Sequence, residues 1–284
     1  MTLSQLIATQ RTRLTSAGIA EGEAQALVRE ILLRLKGYSN TDIAYHASDE
    51  ATEYLSTHTA DTVSRIIDGE PVQYIFGMAH FHGMELHVSP DVLIPRPETS
   101  ELVDLIADHY RDTADLRVMD LCTGSGCIAI ALSRELKFAR VSAIDISEAA
   151  LRIARQNASD LKALVDFSLM DILKAQVPAA GEYDVIVSNP PYICESEKSG
   201  MEKNVLDHEP HTALFVPDSD PLLFYRHISL YARRSLTSGG TLWLEINPMH
   251  ADALRRLLEA DGWIDVNILR DTAGRERFTV AQQP

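Results

Sequence analysis

The first part of the chain repeats apolar residues at intervals of three and four. Leu3, Leu6 and Ile7 open the pattern, and Ala24, Leu27, Val28, Ile31, Leu32 and Leu35 form a stronger stripe. That spacing puts them on one face of a helix. Gly37 follows as a helix stop. Asp42 to Ala47, Glu50 to Leu55 and Ala60 to Ile67 predict further short helices, so residues 1–75 read as a small helical bundle. The period changes between Tyr74 and Ser89. There Phe76-Gly77, Phe81-His82-Gly83 and Leu86-His87-Val88 predict two short strands around glycine turns, and residues 76–92 read as a β-hairpin linker.

Residues 93–284 form the largest region. It opens on Leu93-Ile94-Pro95-Arg96-Pro97-Glu98-Thr99, whose prolines stiffen the lead into an amphipathic helix carrying Leu102, Val103, Ile106 and Ala107. From Arg117 onward, strands and helices alternate, the pattern of an α/β fold with a mostly parallel, doubly wound sheet. The predicted strands are Arg117–Cys122, Arg140–Ile144, Val165–Leu169, Tyr183–Ser188, Gly240–Ile246, Ile264–Leu269 and Arg277–Ala281. Helices are predicted near Gly126–Glu135, Ser147–Asn157, Pro221–Leu236 and Met249–Ala260. Arg270 to Glu276 is too short for a crossover helix, so the last strand should run antiparallel.

Composition alters this picture little. The 284 residues are 45% hydrophobic and 24% charged, ordinary for a globular chain with a real core. No apolar run reaches the roughly 18 residues that a membrane span needs. The first residues lack the charged and apolar regions of a signal peptide. Cys122, Cys127 and Cys194 cannot pair completely and show no Cys/His ligand spacing, and the histidines at 80, 82 and 87 have no ligand set beside them. A reducing, cytoplasmic setting without a bound metal is the simplest reading. The net charge of −15 argues against a protein that grips duplex phosphates.

Two stretches carry chemistry. The strand Tyr183–Ser188 stops at Asn189-Pro190-Pro191-Tyr192, where neither proline can continue a central ladder. Carbonyls left out of the sheet, an amide side chain and an aromatic ring together suit a planar NH2 group. Upstream, Asp120-Leu121-Cys122-Thr123-Gly124-Ser125-Gly126 is a strand running into a small-residue turn and a helix. With Ala129 in the third position the turn also fits a dinucleotide fingerprint, but Asp120 at the strand end would repel a pyrophosphate and suits an amino-bearing ligand. Asp145 ends the second strand, where a carboxylate can bind ribose hydroxyls, and Asp171 follows the third. Any one acid could be a helix cap. The ordered set favours a ligand crevice.

Together these residues resemble a class I S-adenosylmethionine-dependent methyltransferase. Ile94-Pro95-Arg96-Pro97-Glu98-Thr99, Glu209-Pro210-His211-Thr212-Ala213-Leu214, and Asp271 with Gly274 and Arg277 narrow the match. Over its full length the chain resembles the HemK/PrmC-type peptide chain release factor glutamine methyltransferases. The resemblance implies a Rossmann-like, mostly parallel seven-stranded sheet and a small N-terminal helical domain that docks the substrate protein. It implies methyl transfer from S-adenosyl-L-methionine, leaving S-adenosyl-L-homocysteine, to the glutamine of the Gly-Gly-Gln motif in class I release factors during translation termination. No direct nucleic acid or membrane partner is expected.

By the same resemblance, Asp120, Cys122, Thr123, Gly124, Ser125, Gly126, Asp145, Asp171, Ile172 and Asn189 bind the cofactor. Asn189, Pro190, Pro191 and Tyr192 hold the glutamine, with Leu93 as an opposite wall. The Asn189 side-chain oxygen and the Pro190 carbonyl should accept the two amide N–H bonds, and Tyr192 should pack on the amide plane. Three positions depart from the family: Cys122 replaces a usual glycine, Ile172 a common aromatic residue, and Ser100 a usual glutamate with Glu101 beside it. The rival readings are methylation of a ribosomal-protein glutamine, methylation of an adenine amine in DNA, an NAD oxidoreductase, and a non-catalytic module that binds S-adenosylmethionine.

Overall fold

A computed structural model describes residues 1–175 and 181–284 and divides them into two units, Met1–Gly77 with Glu202–His208, and Met78–Met201 with Glu209–Pro284. The first is helical: Leu3–Ser16, Glu21–Lys36, Asn40–Tyr45, Glu53–Ile67, Val72–Phe76 and Lys203–His208. Its opening helix starts in a capping box, Thr2 accepting from the Gln5 N–H while the Gln5 side chain accepts from the Thr2 N–H. Gly37, at φ 72°, ends the second helix in the left-handed conformation that glycine adopts without strain. The predicted stripe packs inward, with Val28, Ile31 and Leu32 joining Leu6, Leu14, Leu55 and Val63 in one core.

Two expectations change here. The helices expected at Glu50–Leu55 and Ala60–Ile67 are one helix, begun at the Thr52 cap, because nothing between them breaks the 3.6-residue period. Phe76-Gly77 closes a short helix, Gly77 at φ 68°, and does not begin a strand.

In the second unit the strands are β1 Met78–Phe81, β2 Met84–His87, β3 Arg117–Leu121, β4 Arg140–Asp145, β5 Val165–Leu169, β6 Tyr183–Ser188, β7 Ile193–Cys194, β8 Phe215–Val216, β9 Leu236–Glu245, β10 Ile264–Arg270 and β11 Glu276–Gln282. Strands β1 and β2 make the expected hairpin, and seven others form one sheet in the order β10-β11-β9-β6-β3-β4-β5. Strands β3, β4, β5, β6 and β9 pair in parallel; β11 lies antiparallel between β9 and β10. The short β7–β8 pair and the turn of 3-10 helix at Glu195–Gly200 carry no alternating pattern, which is why sequence periodicity misses them.

Alternate side chains of the central strands enter separate cores. Val118, Val185 and Val187 face one layer with Leu102, Ile106 and Ile130 from the helices Pro97–His109 and Cys127–Glu135. Met119, Leu121 and Ile186 face the other, against Tyr225, Ile228, Leu254 and Leu258 from Leu223–Ser235 and Ala251–Ala260. Both faces of the sheet are therefore covered, as a parallel sheet requires. The chain leaves β3 for β4 on one side, while β6 and β9 lie on the other. Such a switch point opens a crevice beyond the carboxyl ends of the strands.

Candidate active site

The cavity lies at that switch point. It has a volume of about 640 Å³ and is bounded by the turn after β3, the ends of β4 and β6, and the segments at residues 91–99 and 210–217. That size suits a ligand of several linked groups.

Its floor is the turn after β3. The Thr123 N–H donates to Ile144 O (2.9 Å), and the Gly126 N–H donates to Thr123 O (2.9 Å). Glycine is required at Gly126: φ is 82°, and an added Cβ would lie 3.1 Å from the Ala154 Cβ. Cys122 occupies the left-handed region at φ 63°, a conformation that glycine adopts without strain and a cysteine does not. Thr123, Gly124, Ser125 and Cys122 line the cavity, whereas Gly126 shapes it from behind.

Asp120 sits differently from its expected role. It is completely buried, accepting from the Thr123 hydroxyl (2.6 Å) and the Ala129 N–H (3.2 Å), and it does not line the cavity. Burial pushes its carboxyl up to about 7, against those two hydrogen bonds. Its strand-end position made it look ligand-facing, but the pleat turns the side chain under the following helix.

Asp145 does face the cavity. Its carboxylate accepts from the Gly124 N–H (2.8 Å) and the Ser147 N–H (2.9 Å), so the acid is fixed between turn and helix with lone pairs to spare. Burial raises its pKa, opposed by those N–H groups. Ser147, whose hydroxyl accepts from the Ala150 N–H, is the actual helix cap. The Asp171 carboxylate also lines the cavity; its pKa is lowered by Lys174, 3.0 Å away, and by the Leu173 N–H. Ile172, Met170, Leu173 and Phe224 add an apolar wall beside it. A carboxylate for a diol, an apolar slot for a flat ring and a second carboxylate for its amine suit an adenosine-bearing cofactor.

The opposite wall holds Asn189, Pro191, Leu93 and Thr99. Glu245, at the end of β9, is buried to 2% exposure and organises this wall, although sequence reading passed over it. Its two oxygens accept from the Thr99 hydroxyl (2.7 Å) and the Tyr192 phenol (2.9 Å), and Thr99 in turn accepts from Asn189 Nδ2 (3.2 Å). Burial raises the Glu245 carboxyl, while the two hydroxyls and Arg277 favour its ionised form. Tyr192 is held as a neutral phenol, its pKa raised by burial and by Glu245. The partly buried Tyr192 ring packs against the apolar core behind the wall, Pro190 is buried, and neither lines the cavity. Among the described residues no donor reaches the Pro190 carbonyl.

The flanking motifs buttress this wall. Glu209, with its side chain 2% exposed, accepts from Arg96 Nη2 (2.5 Å) and from the Ile94 N–H (3.3 Å), locking two of the quoted segments together. The third joins through Arg275, which reaches both Glu98 (3.2 Å) and Asp271 (3.3 Å). At the departure, Ser100 faces His82 (2.9 Å), while Glu101 accepts from the Thr272 N–H and hydroxyl (both 2.8 Å).

Comparison with known proteins bears on the family and the fold. Residues 100–208 match the family described as "Methyltransferase small domain", and residues 5–77 match the "PrmC N-terminal domain". A release factor glutamine methyltransferase of Bacteroides thetaiotaomicron is 48% identical over 78% of this chain and 79% of that protein. The protein of that name from Koribacter versatilis is 35% identical over 93% of this chain and 94% of its own length. Among solved structures, a 16S rRNA N2 methyltransferase of T. thermophilus in complex with AdoMet and guanosine shares the fold, with a TM-score of 0.52 and 19% identity over 73% of this chain and 50% of that one. The two long matches at 48% and 35% identity decide the assignment, and the chain belongs to the release factor glutamine methyltransferase family.

Proposed function

We propose that this cleft transfers a methyl group from S-adenosylmethionine to the side-chain amide nitrogen of the glutamine in the Gly-Gly-Gln motif of class I release factors. The observation that carries the reading is the orientation of Asn189. Thr99 has one hydroxyl proton, which it donates to Glu245, so it can only accept from the Asn189 amide. The Asn189 NH2 is therefore turned toward Thr99, and its Oδ1 is left to the cavity as an acceptor.

When bound, S-adenosylmethionine supplies a sulfonium methyl whose transfer leaves a neutral thioether. The chain's task is the nucleophile. An amide nitrogen shares its lone pair with its carbonyl, so it reacts only if the developing positive charge on nitrogen is stabilised. Asn189 Oδ1, set in the cavity before substrate arrives, accepts one N–H bond and aims the nitrogen at the methyl. The Pro190 carbonyl, beside the cavity, would accept the second N–H once the substrate amide is seated against the wall. The amide proton departs after transfer. Glu245 is occupied by two hydroxyls and acts by positioning Asn189 and Tyr192, not as a base.

Asp145 would hold the ribose hydroxyls, Asp171 and Ile172 would border the adenine, and the turn Cys122–Ser125 would receive the methionine end. Among the described residues no helix is long and apolar enough to cross a membrane. Three free cysteines fit a cytoplasmic setting. The test is incubation with labelled S-adenosylmethionine and purified release factor, ribosomal proteins and DNA. Label on the Gly-Gly-Gln glutamine is expected; label only on ribosomal protein or DNA would overturn the assignment.

A further inference from the structure

Just beyond Asn189-Pro190-Pro191-Tyr192, a second group of side chains converges. Cys194 on β7, Glu197 on the 3-10 turn that follows, and His250 on the turn after β9 each offer a ligand atom, and those atoms all lie within 4.8 Å of one another. We propose that Cys194, Glu197 and His250 bind a zinc ion that clips β7 to the segment after β9.

The donor set selects the metal. A thiolate, an imidazole and a carboxylate are the mixture that borderline-soft Zn²⁺ takes, whereas Mg²⁺ and Ca²⁺ prefer oxygen alone. The geometry agrees. Cys194 Sγ lies 3.5 Å from His250 Nε2. Zinc bonds of about 2.3 Å to sulfur and about 2.0–2.1 Å to nitrogen, at a tetrahedral angle, put those two atoms about 3.5 Å apart. The Glu197 oxygen lies within 4.8 Å of both, and zinc binding would draw it to roughly 3.3–3.6 Å to close the triangle.

The site is also supported from behind. Glu197 Oε1 accepts from the Cys194 N–H (2.7 Å) and from Asn247 Nδ2 (2.9 Å), which orients the carboxylate and leaves Oε2 for an ion. Asn247, 5% exposed, also accepts the Met249 N–H on its Oδ1 (3.0 Å), and its backbone carbonyl accepts the His250 N–H (3.0 Å). One buried amide thus steadies the carboxylate and the turn that carries the imidazole, the outer support that protein zinc ligands require. Glu197 and His250 are partly exposed, so an ion can enter from solvent, and water completes the fourth position. Binding replaces the thiol proton of Cys194, which passes to solvent. Local spacing hid this site, because His250 lies 56 residues beyond Cys194. Asn247 Nδ2 also donates to Tyr192 O (3.2 Å), so the clip would brace the flank of the glutamine wall.

The full chain, stripped with a chelator, is titrated with Co²⁺ as a coloured substitute and then with Zn²⁺ by calorimetry. The expected result is one ion per chain, a sulfur-to-cobalt charge-transfer band, and displacement of Co²⁺ by Zn²⁺. Cys194→Ser should abolish the band, and His250→Ala should weaken Zn²⁺ binding by about 100-fold, both with unchanged circular dichroism. The clip is excluded if the unsubstituted chain binds no stoichiometric ion. It is equally excluded if the band survives Cys194→Ser, which would place the metal at Cys122 or Cys127.

Discussion

At the scale of single residues, one hydroxyl decides which end of the Asn189 amide is left free. Thr99 donates to Glu245 and accepts from Asn189, so a change at Thr99 should act on the chemistry while leaving the cofactor alone. Thr99→Val keeps the shape but removes the hydroxyl; turnover should fall by about 10- to 100-fold with little change in cofactor affinity. Thr99→Ser restores the hydroxyl and should stay within about threefold of the parent. Equal losses in both variants would mean that Thr99 matters for packing alone. Asp120 makes a prediction about pH. Its folded pKa of about 7 lies above the unfolded value of 3.8, so the folded state binds an extra proton between those values. Its contribution to stability is therefore fully present at low pH and is lost as pH rises through about 7. Thermal unfolding of the parent and of Asp120→Asn between about pH 5 and pH 8 reads this directly. The parent should lose stability relative to the variant as pH rises; a constant difference would show that Asp120 does not titrate there.

Among secondary-structure elements, the loop segments gain their rigidity from pairings across long stretches of sequence. Arg96 reaches Glu209, 113 residues away, and Glu209 is almost wholly enclosed. Removing one partner of an enclosed pair costs about 3–5 kcal/mol. Because the Arg96 side chain is 34% exposed, water can take over part of its role, and Arg96→Ala should cost about 2–3 kcal/mol in urea unfolding. A cost below about 0.5 kcal/mol would mark the pair as incidental. Much of the scaffold is legible in the sequence. Period-two and period-3.6 patterns located the sheet strands and the main helices, and the length of the Arg270–Glu276 connection foretold the antiparallel β11. The segment from Ile193 to Val216 was not legible, since its two-residue strands and short helical turns are too brief to show a period. Glu245 was missed for another reason. It ends an apolar strand as Asp120 does, and only the partners that folding brings to it separate a wall-building acid from one beneath a turn.

For the whole molecule, a covered parallel sheet opens a crevice at its switch point, with the turn after β3, Asp145 and Asp171 on one wall and Asn189 on the other. The acids that looked equivalent in sequence divide by depth: Asp145 and Asp171 face the cavity, and Asp120 lies beneath it. The positive φ at Cys122 is a backbone feature that no sequence pattern displays. Release-factor docking would bring the glutamine to an acceptor already turned toward it, so the binding of cofactor and the reactivity of the amide should be separable. The direct test is Asn189→Ala, with S-adenosylmethionine affinity followed by calorimetry and methyl transfer to release factor followed in a single turnover. Transfer should slow by about 100- to 1,000-fold while cofactor affinity changes by less than about threefold. Equal losses in transfer and cofactor affinity would contradict the role assigned to Asn189.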